Sequence, residues 1–339
     1  RLPYLGLSGR VFLTVLGGLA IGLVIFAFVS VRALENSTRK TLQERLTLAQ
    51  MTAGRFDDLV EQTIRVTETM IEVAGLGTEG ATIADQQHFA AGLYDHLGDM
   101  AYYVAIIDPD FHARLVYPPQ DEILQHNFSD SNCVNHAFDQ RMPQVTRSFR
   151  LGTPTPAVAM NVPFMGPGGE VAGVVLVTLD LNVTEFVDLL RSGDLGDTGY
   201  IEVIDRTGVV LGSTRPELRW QTDDHAGFFE QLILERKTSV GTCHNCHGSD
   251  TPGGKTQDLV AFAPLSVAPW GIAVRQARNE AFLPTNILRR KLLLYGGLTL
   301  LVIGAVALVL SNNLVKPLRG LTAACGEIAG GNLDTPLPE

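Results

Sequence analysis

Two long apolar runs without a charged residue constrain this chain more than any other feature. The first is Val11–Val31 and the second is Leu292–Leu310, in a chain of 339 residues. Each run is long enough to cross a bilayer as a helix, which needs about 20 apolar residues. The first run is longer than the apolar core of a cleaved signal peptide, so we interpret it as a retained anchor. The sequence therefore predicts a tail and first span in residues 1–32 and a second span in residues 289–311.

Composition excludes several classes of protein. The net charge of -10 argues against a nucleic-acid-binding protein. Four cysteines are too few for a disulfide-stapled scaffold. No nucleophile–base constellation, phosphate-binding loop or paired-carboxylate motif is evident, so we expect no enzyme activity in this chain. Any catalytic output domain would lie outside this sequence.

The segment after the first span has a helical period. Apolar residues recur at spacings of three and four from residue 34 to about residue 74, with charged residues on the other faces. The positions that keep this spacing are Leu42, Leu46, Ala49, Ala53, Phe56, Val60 and Ile64. We therefore predict one long helix that continues from the first span.

The next part of the chain contains a weak internal repeat of strands. "YYVAIID" (residues 102–108) is followed by a short turn and "HARLVY", and "GYIEVID" (residues 199–205) is followed by a short turn and "VVLGST". Each pair precedes a further hairpin, "AVAMNVPF" with "VAGVVLVTLDL" and "LVAFAPL" with "WGIAVRQA". Four strands in the same order, twice, predict two related α+β modules in tandem.

These motifs resemble a double Cache sensor. The resemblance covers roughly Leu34 to Phe282 and is carried by "GPGGEVAGVVLVTLDL" and "LGDTGYIEVIDRTGVVLGS". It implies an α+β fold in which a long N-terminal helix carries two PAS-like antiparallel sheets outside the cytoplasm. We place the long helix and membrane-distal module in residues 33–195, and the membrane-proximal module in residues 196–288.

Residues 312–339 resemble the start of a HAMP linker. The stretch "KPLRGLTAACGEIAGGNLD" has an early proline, an amphipathic helical pattern and an "IAGGNLD" ending. The resemblance implies a cytoplasmic, parallel dimeric coiled coil, and so a homodimer. It also implies that both termini are cytoplasmic and that the main domain is periplasmic, in a bacterial inner membrane.

The motif "CHNCH" at positions 243–247 lies in the predicted proximal module. C-x-x-C-H is the pattern of covalent haem c attachment. Cys243 and Cys246 would form thioethers with the two vinyl groups, and His247 would bind the iron as its first axial ligand. Such attachment occurs outside the cytoplasm, in agreement with the predicted topology.

Other interpretations of this motif remain open. A zinc site needs a second ligand cluster, and no second C-x-x-C is present. A Cys243–Cys246 disulfide is feasible in an oxidising compartment. For the sixth iron position no His or Met follows His247, and His225 is the upstream candidate in the proximal module. A methionine elsewhere, or an open position suited to gas binding, is the alternative.

Two functions of different classes follow. The first is a membrane receptor that transmits a redox, gas or ligand signal through the second span to the HAMP-type segment. The second is a haem-bearing or structural accessory subunit of a larger photosynthetic or respiratory membrane complex, with other membrane subunits as partners.

Overall fold

The computed structural model describes residues 7–181, 183–191, 195–223, 225–243, 257–310, 313 and 325–326. Cys246, His247 and most of the predicted HAMP-type segment lie outside the described residues. The described chain divides into two compact units. One consists of residues 1–40 and 282–339, and the other of residues 41–281.

The helices are dominated by one very long element at the N-terminal end. The first and last helices contain the two apolar runs, and the others are short. In chain order they are α1 Leu7–Ala74, α2 Ile83–Leu97, α3 Asp121–Leu124, α4 Asn132–Gln140, α5 Thr184–Leu190, α6 Ala226–Glu235, α7 Arg278–Ala281 and α8 Leu283–Leu310.

Two five-stranded antiparallel sheets lie in residues 41–281. The distal sheet has the spatial order β2-β1-β5-β4-β3. Its strands are β1 Ala101–Ile107, β2 Ala113–Tyr117, β3 Gln144–Val145, β4 Val158–Met165 and β5 Val171–Leu179. The proximal sheet has the order β7-β6-β10-β9-β8. Its strands are β6 Tyr200–Asp205, β7 Val210–Ser213, β8 Ser239–Thr242, β9 Asp258–Pro264 and β10 Trp270–Ala277.

The predicted internal repeat is confirmed. The two sheets have the same topology, and all eight predicted strands occur with ends that shift by one or two residues. Each sheet has one further strand at its edge. In the distal sheet β3 pairs with β4, and in the proximal sheet β8 pairs with β9. These two strands are short edge strands of two and four residues, too short to give a detectable period.

The helical period of α1 is explained by burial against the sheets. Ala49, Ala53, Phe56, Val60 and Ile64 are all buried in one hydrophobic core, which also contains residues of both sheets. Charged residues on the remaining faces stay in solvent, as expected for an amphipathic surface helix. The second half of α1 is therefore the shared support of both modules.

Hydrogen bonds join the two modules directly. The buried carboxylate of Asp205 accepts from Ser148 N at 3.0 Å and from Ser148 Oγ at 2.7 Å. Trp270 Nε1, fully buried, donates to Thr146 O at 2.9 Å. Thr146 and Ser148 follow β3 of the distal module, whereas Asp205 and Trp270 belong to the proximal sheet. The two sheets are thus tied by polar contacts as well as by a common core.

The other unit contains the apolar part of α1 and all of α8. Ser37 Oγ and Thr285 Oγ1 lie 2.7 Å apart, and a Cβ on Gly296 would meet the ring of Phe26, so the two helices pack closely. Among the described side chains, one helix is both long and apolar enough to cross a membrane, the stretch of α1 from Gly17 onward. Residues 289–310 of the predicted second span lie in α8, and several of their side chains lie outside the description.

Candidate functional site

Cys243 is held by the edge of the proximal sheet. Strand β8 pairs with β9 from Ser239 to Thr242, and the ladder continues one step further, because Cys243 N donates to Asp258 O at 2.7 Å. The backbone of the first cysteine of the predicted haem motif is therefore positioned by regular strand pairing. The rest of the motif follows at the point where β8 ends.

The side chain of Cys243 lines a cavity of about 220 Å³ between α6 and strands β8 and β9. The wall is mainly aromatic and aliphatic, with Phe228, Phe229, Val260 and Phe262 as its apolar members. The ring centroids of Phe229 and Phe262 lie 4.9 Å apart. Ligand pockets for drug-sized molecules measure roughly 300–1,000 Å³. This cavity is smaller than that range, and its lining is mainly apolar.

His225 lies in the same wall and contacts the cysteine. Its Nε2 is 2.8 Å from Cys243 Sγ, and its Nδ1 is 3.2 Å from Asp223 Oδ1. Asp223 Oδ1 also accepts from His225 N at 2.8 Å, so both the backbone and the ring of His225 are bound to one carboxylate. His225 is the residue immediately before α6, and the helix carries the aromatic wall behind it. The structure thus brings together two residues that the sequence separated by 17 intervening positions.

A buried ion cluster supports Asp223 from behind. Arg275 on β10 is 1% exposed and binds Asp223 Oδ2 through its NH2 group, while its Nε lies 3.1 Å from Glu202 Oε2. Glu202 pairs with Ala273 in the ladder, so Arg275 lies two positions along on the same face of the sheet. The guanidinium also covers the ring of Phe229, with 5.5 Å from its carbon to the centroid. Asp223 is therefore anchored to the centre of the sheet.

The cluster changes the protonation of its members. Burial raises the pKa of Glu202 to about 7, despite the opposing effect of Arg275. Burial alone would lower the pKa of Arg275, but the Glu202 and Asp223 carboxylates outweigh it and raise this pKa. Burial, with the nearby Glu202 carboxylate, raises the pKa of Tyr200 to about 12. Arg275 is therefore a permanent positive charge between two carboxylates.

The predicted haem ligands are only partly within the described residues. Cys243 and His225 are brought into contact, whereas Cys246 and His247 lie outside the description. Across the side chains that the structure describes, no three His, Cys, Asp or Glu groups converge on a point that would hold a metal ion. His225 contacts Cys243 through Nε2 and Asp223 through Nδ1, on opposite sides of its ring. The three side chains therefore do not point at a common centre.

The distal module has a second, more polar opening. A cavity of about 490 Å³ is lined by residues 120–122 and 150–154. Tyr103 OH, deeper in the sheet, donates to Leu151 O at 3.2 Å. Tyr102 OH donates to Asp180 Oδ2 at 2.8 Å, and burial and Asp180 together raise the pKa of Tyr102 to about 12. Asp180 follows β5 directly and binds a tyrosine of the neighbouring strand β1.

Sequence reasoning missed Asp223, Arg275 and Glu202. The strands "YIEVID" and "WGIAVRQA" each place a charged residue within an otherwise apolar run. Since a fully buried charge needs a partner, these two positions could have been paired with one another. Asp223 had a weaker signal, an Asp two residues before the candidate ligand at the start of a helix.

The described fold is similar to solved extracellular domains of bacterial receptors. The extracellular domain of rpHK1S-Z16, assigned as a histidine kinase, is 16% identical with a TM-score of 0.57, over 72% of this chain and 98% of that chain. The ligand-binding domain of the Pseudomonas aeruginosa PAO1 amino acid chemoreceptor PctB in complex with L-Arg is 15% identical with a TM-score of 0.52, over 70% of this chain and 94% of that chain.

An extracellular ligand-binding receptor from Desulfohalobium retbaense DSM5692 is 14% identical with a TM-score of 0.53, over 69% of this chain. The matched region spans 40% of that receptor's chain. Identities this low show a common fold and nothing finer. Neither a protein-family model nor a curated protein sequence matches this chain. The fold of this chain is therefore similar to that of these solved extracellular domains of chemoreceptors and histidine kinases.

Proposed function

We propose that this protein is a membrane-anchored extracytoplasmic sensor that carries one covalent haem c on its proximal module. Cys243 and Cys246 tether the haem, and His247 binds its iron. The haem supplies a redox-active iron centre, and the surrounding chain positions it and excludes water from one edge. The main domain is periplasmic, both termini are cytoplasmic, and the protein acts as a homodimer through its HAMP-type segment.

The observation that carries the haem proposal is the position of Cys243. Its sulfur lines an apolar cavity beside a histidine, at the strand end where the C-x-x-C-H motif begins. An apolar, aromatic wall suits a porphyrin edge, since burying apolar surface contributes roughly 25 cal/mol per Å². A disulfide between Cys243 and Cys246 would make no use of this cavity or of His225.

The sensing role is supported by the fold and by two separate cavities. The distal cavity is polar and open, and suits a small polar ligand. The proximal cavity is apolar and suits the haem edge. Strand β10, which carries Arg275, leads through α7 into α8, so the proximal sheet is the part of the sensor that is continuous in sequence with the second apolar run. We infer that the state of the haem is transmitted along this connection.

A pyridine haemochrome spectrum tests the haem proposal. The full chain, purified in detergent from a bacterium that attaches haem to periplasmic cytochromes, is denatured and extracted with acidified solvent before measurement. We expect haem to remain with the polypeptide and to give a c-type spectrum.

Matched serine variants separate attachment from folding. Cys243→Ser and Cys246→Ser should each lose one thioether, and the double variant should lose all covalent haem. Cys133→Ser, at a half-buried distal cysteine, is the control and should keep it. Wild-type protein free of haem, with both thiols of the motif open to alkylation, would refute the proposal and leave a nucleophilic thiol beside His225 to explain.

A further inference from the structure

A polar joint lies where the segment between the two modules meets the end of the proximal sheet. Glu280 on α7 accepts from two backbone amides of that segment, Asp197 N at 2.7 Å and Thr198 N at 2.9 Å. The Thr198 hydroxyl donates to the same carboxylate and accepts from Ala277 N, at the end of β10, at 3.1 Å. One carboxylate thus binds the inter-module segment to the point where β10 continues into α7.

Gln276 makes a second connection at the same place. This side chain of β10 is buried, and its Nε2 donates to Leu195 O at 2.7 Å. Its Oε1 accepts from Arg45 Nε at 3.0 Å, and Arg45 belongs to α1. The joint therefore includes the inter-module segment, the last strand of the proximal sheet and the long helix.

The backbone of the segment is shaped for this contact. Gly196 has a φ of 71°, in the left-handed region that favours glycine. A Cβ at this position would collide with the Glu280 carboxylate. Arg215 NH2 donates to Thr198 O at 2.9 Å and supports the residue that bridges Glu280 and β10. The segment is thus fitted to the carboxylate by its conformation as well as by hydrogen bonds.

The joint is well bonded and still accessible to water. The hydrogen bond from the Thr198 side chain, with those from the two amides, lowers the pKa of Glu280, so the carboxylate is charged at neutral pH. Hydrogen bonds to a charged acceptor are stronger than those between neutral groups. Asp197 is exposed and Thr198 and Glu280 are half-buried, so water can replace these partners when the joint opens. The Asp205 link between the modules is fully buried and lacks this freedom.

We propose that Glu280 is a positioning residue that couples the segment after the distal module to α8, so that a displacement of residues 195–198 reaches α8 through α7. Only Phe282 separates α7 from α8 in sequence. The inference goes beyond the haem and rests on the sensor role of the proposed function alone. It gives the distal module a route to α8 other than the buried link at Asp205.

Hydrogen–deuterium exchange of the full-length protein in detergent tests the joint. Peptides that contain the amides of Asp197, Thr198 and Ala277 should be protected in the wild type. Glu280→Gln keeps the size of the side chain but removes its charge and one of its two acceptor oxygens. We expect exchange of these amides to rise about tenfold in this variant, as the loss of a charge-assisted hydrogen bond implies. Exchange in the first turns of α8, residues 283–289, should rise with it.

A second variant and a matched control accompany this substitution. Thr198→Val keeps the shape of the side chain, removes the hydroxyl and should reproduce the effect of Glu280→Gln. The double variant should add little, because both substitutions act on one bond. Asp57→Ala is the control, since it removes another carboxylate that binds backbone amides of a turn. It should leave the joint and α8 protected as in the wild type, because half-exposed amides exchange by local opening.

Each outcome decides the inference. Unchanged exchange at Asp197 and Thr198 in both variants would show that Glu280 does not hold the segment. Faster exchange confined to the segment, with α8 as in the wild type, would reduce Glu280 to a turn cap and overturn the coupling. Faster exchange of α8 in Asp205→Ala but not in Glu280→Gln would place the route across the proximal sheet instead. Absence of covalent haem defeats the haem proposal and leaves these readings unaffected, so the two failures are distinguishable.

Discussion

At the scale of single residues, the most consequential group is the buried cation of Arg275. It lies between Glu202 and Asp223, and its guanidinium also rests on the ring of Phe229. Two carboxylates would not stay charged in this core without it, because their mutual repulsion and desolvation both disfavour ionisation. Arg275 therefore links the stability of the proximal sheet to the geometry of the cavity at Cys243.

Replacing Arg275 with Met should destabilise the protein strongly. The variant leaves two buried carboxyl groups without their cation, and breaking a buried ion pair in this way costs about 3–5 kcal/mol. We expect the double variant Arg275→Met with Asp223→Asn to recover part of this loss, since it removes the Asp223 carboxylate that has lost its cation. Thermal unfolding of the full chain in detergent measures both. Equal melting temperatures for wild type and Arg275→Met would contradict this account of the cluster.

Glu202 should make stability depend on pH. Its pKa is about 7 in the folded protein, against 4.5 as its ordinary value. Between these values the folded state keeps the proton that the unfolded state has released, so the contribution to stability is full below pH 4.5 and is lost as pH rises through 7.

The size of this effect is at most about 3 kcal/mol, at about 1.4 kcal/mol per pKa unit. Glu202→Gln is neutral at every pH and should lack it. The measurement is the difference in unfolding free energy between wild type and Glu202→Gln at pH 5 and at pH 8. A difference that does not change between these two pH values would show that Glu202 has an ordinary pKa.

At the scale of elements, α1 is attached to the proximal module by one carboxylate as well as by its apolar face. Asp57 accepts from Ser266 N at 2.9 Å, from Ser266 Oγ at 2.8 Å and from Val267 N at 3.0 Å. Ser266 and Val267 form the turn between β9 and β10. The carboxylate therefore fixes this turn to the long helix.

We predict that Asp57→Ala lowers the free energy of unfolding by about 1–3 kcal/mol, because it leaves the amide donors of this turn without their acceptor. Asp58→Ala is the matched control, since Asp58 is the next residue of the same helix and its side chain is exposed. Chemical denaturation of both variants gives the comparison. Equal effects of the two substitutions would mean that the turn is held by apolar packing alone.

Prediction from sequence succeeded for elements with a strong period and failed for contacts across the fold. The buried face of α1 was identified from Ala49 to Ile64 because a long amphipathic helix repeats its pattern many times. The hairpins were identified because each occurs twice. Strand β8 was missed because it has four residues, and it is the strand that positions Cys243. The contact between Cys243 and His225 depends on how α6 packs against the proximal sheet, which no local pattern encodes.

At the scale of the whole molecule, the two modules share one sheet topology but differ at their junction. Asp108 and Asp205 occupy equivalent turns, and each accepts from backbone amides of its own hairpin. Asp205 additionally accepts from Ser148 of the distal module, and it is fully buried. Asp108 instead pairs with Arg114 at 3.2 Å near the surface. The turn at Asp205 thus links the two modules.

This difference gives a matched pair of substitutions. Asp205→Ala should destabilise the protein by roughly 2 kcal/mol more than Asp108→Ala, since it removes a fully buried carboxylate and leaves two half-buried donors of Ser148 without their acceptor. It should also separate the unfolding of the two modules, which hydrogen exchange of β4 and β9 would show as unequal protection. Asp108→Ala should leave the two protected to the same extent. A single cooperative transition in both variants would show that Asp205 does not couple the modules.

The central claim is that a porphyrin is bonded through sulfur to the proximal sheet of a two-module extracytoplasmic sensor. The most direct measurement is the intact mass of the full-length chain under denaturing, non-reducing conditions, beside that of the Cys243→Ser, Cys246→Ser double variant. The account predicts that the wild type is heavier than its polypeptide by one haem and that the double variant has no added mass. A wild-type mass equal to the bare chain, or lower by the two hydrogens of a disulfide, would contradict it.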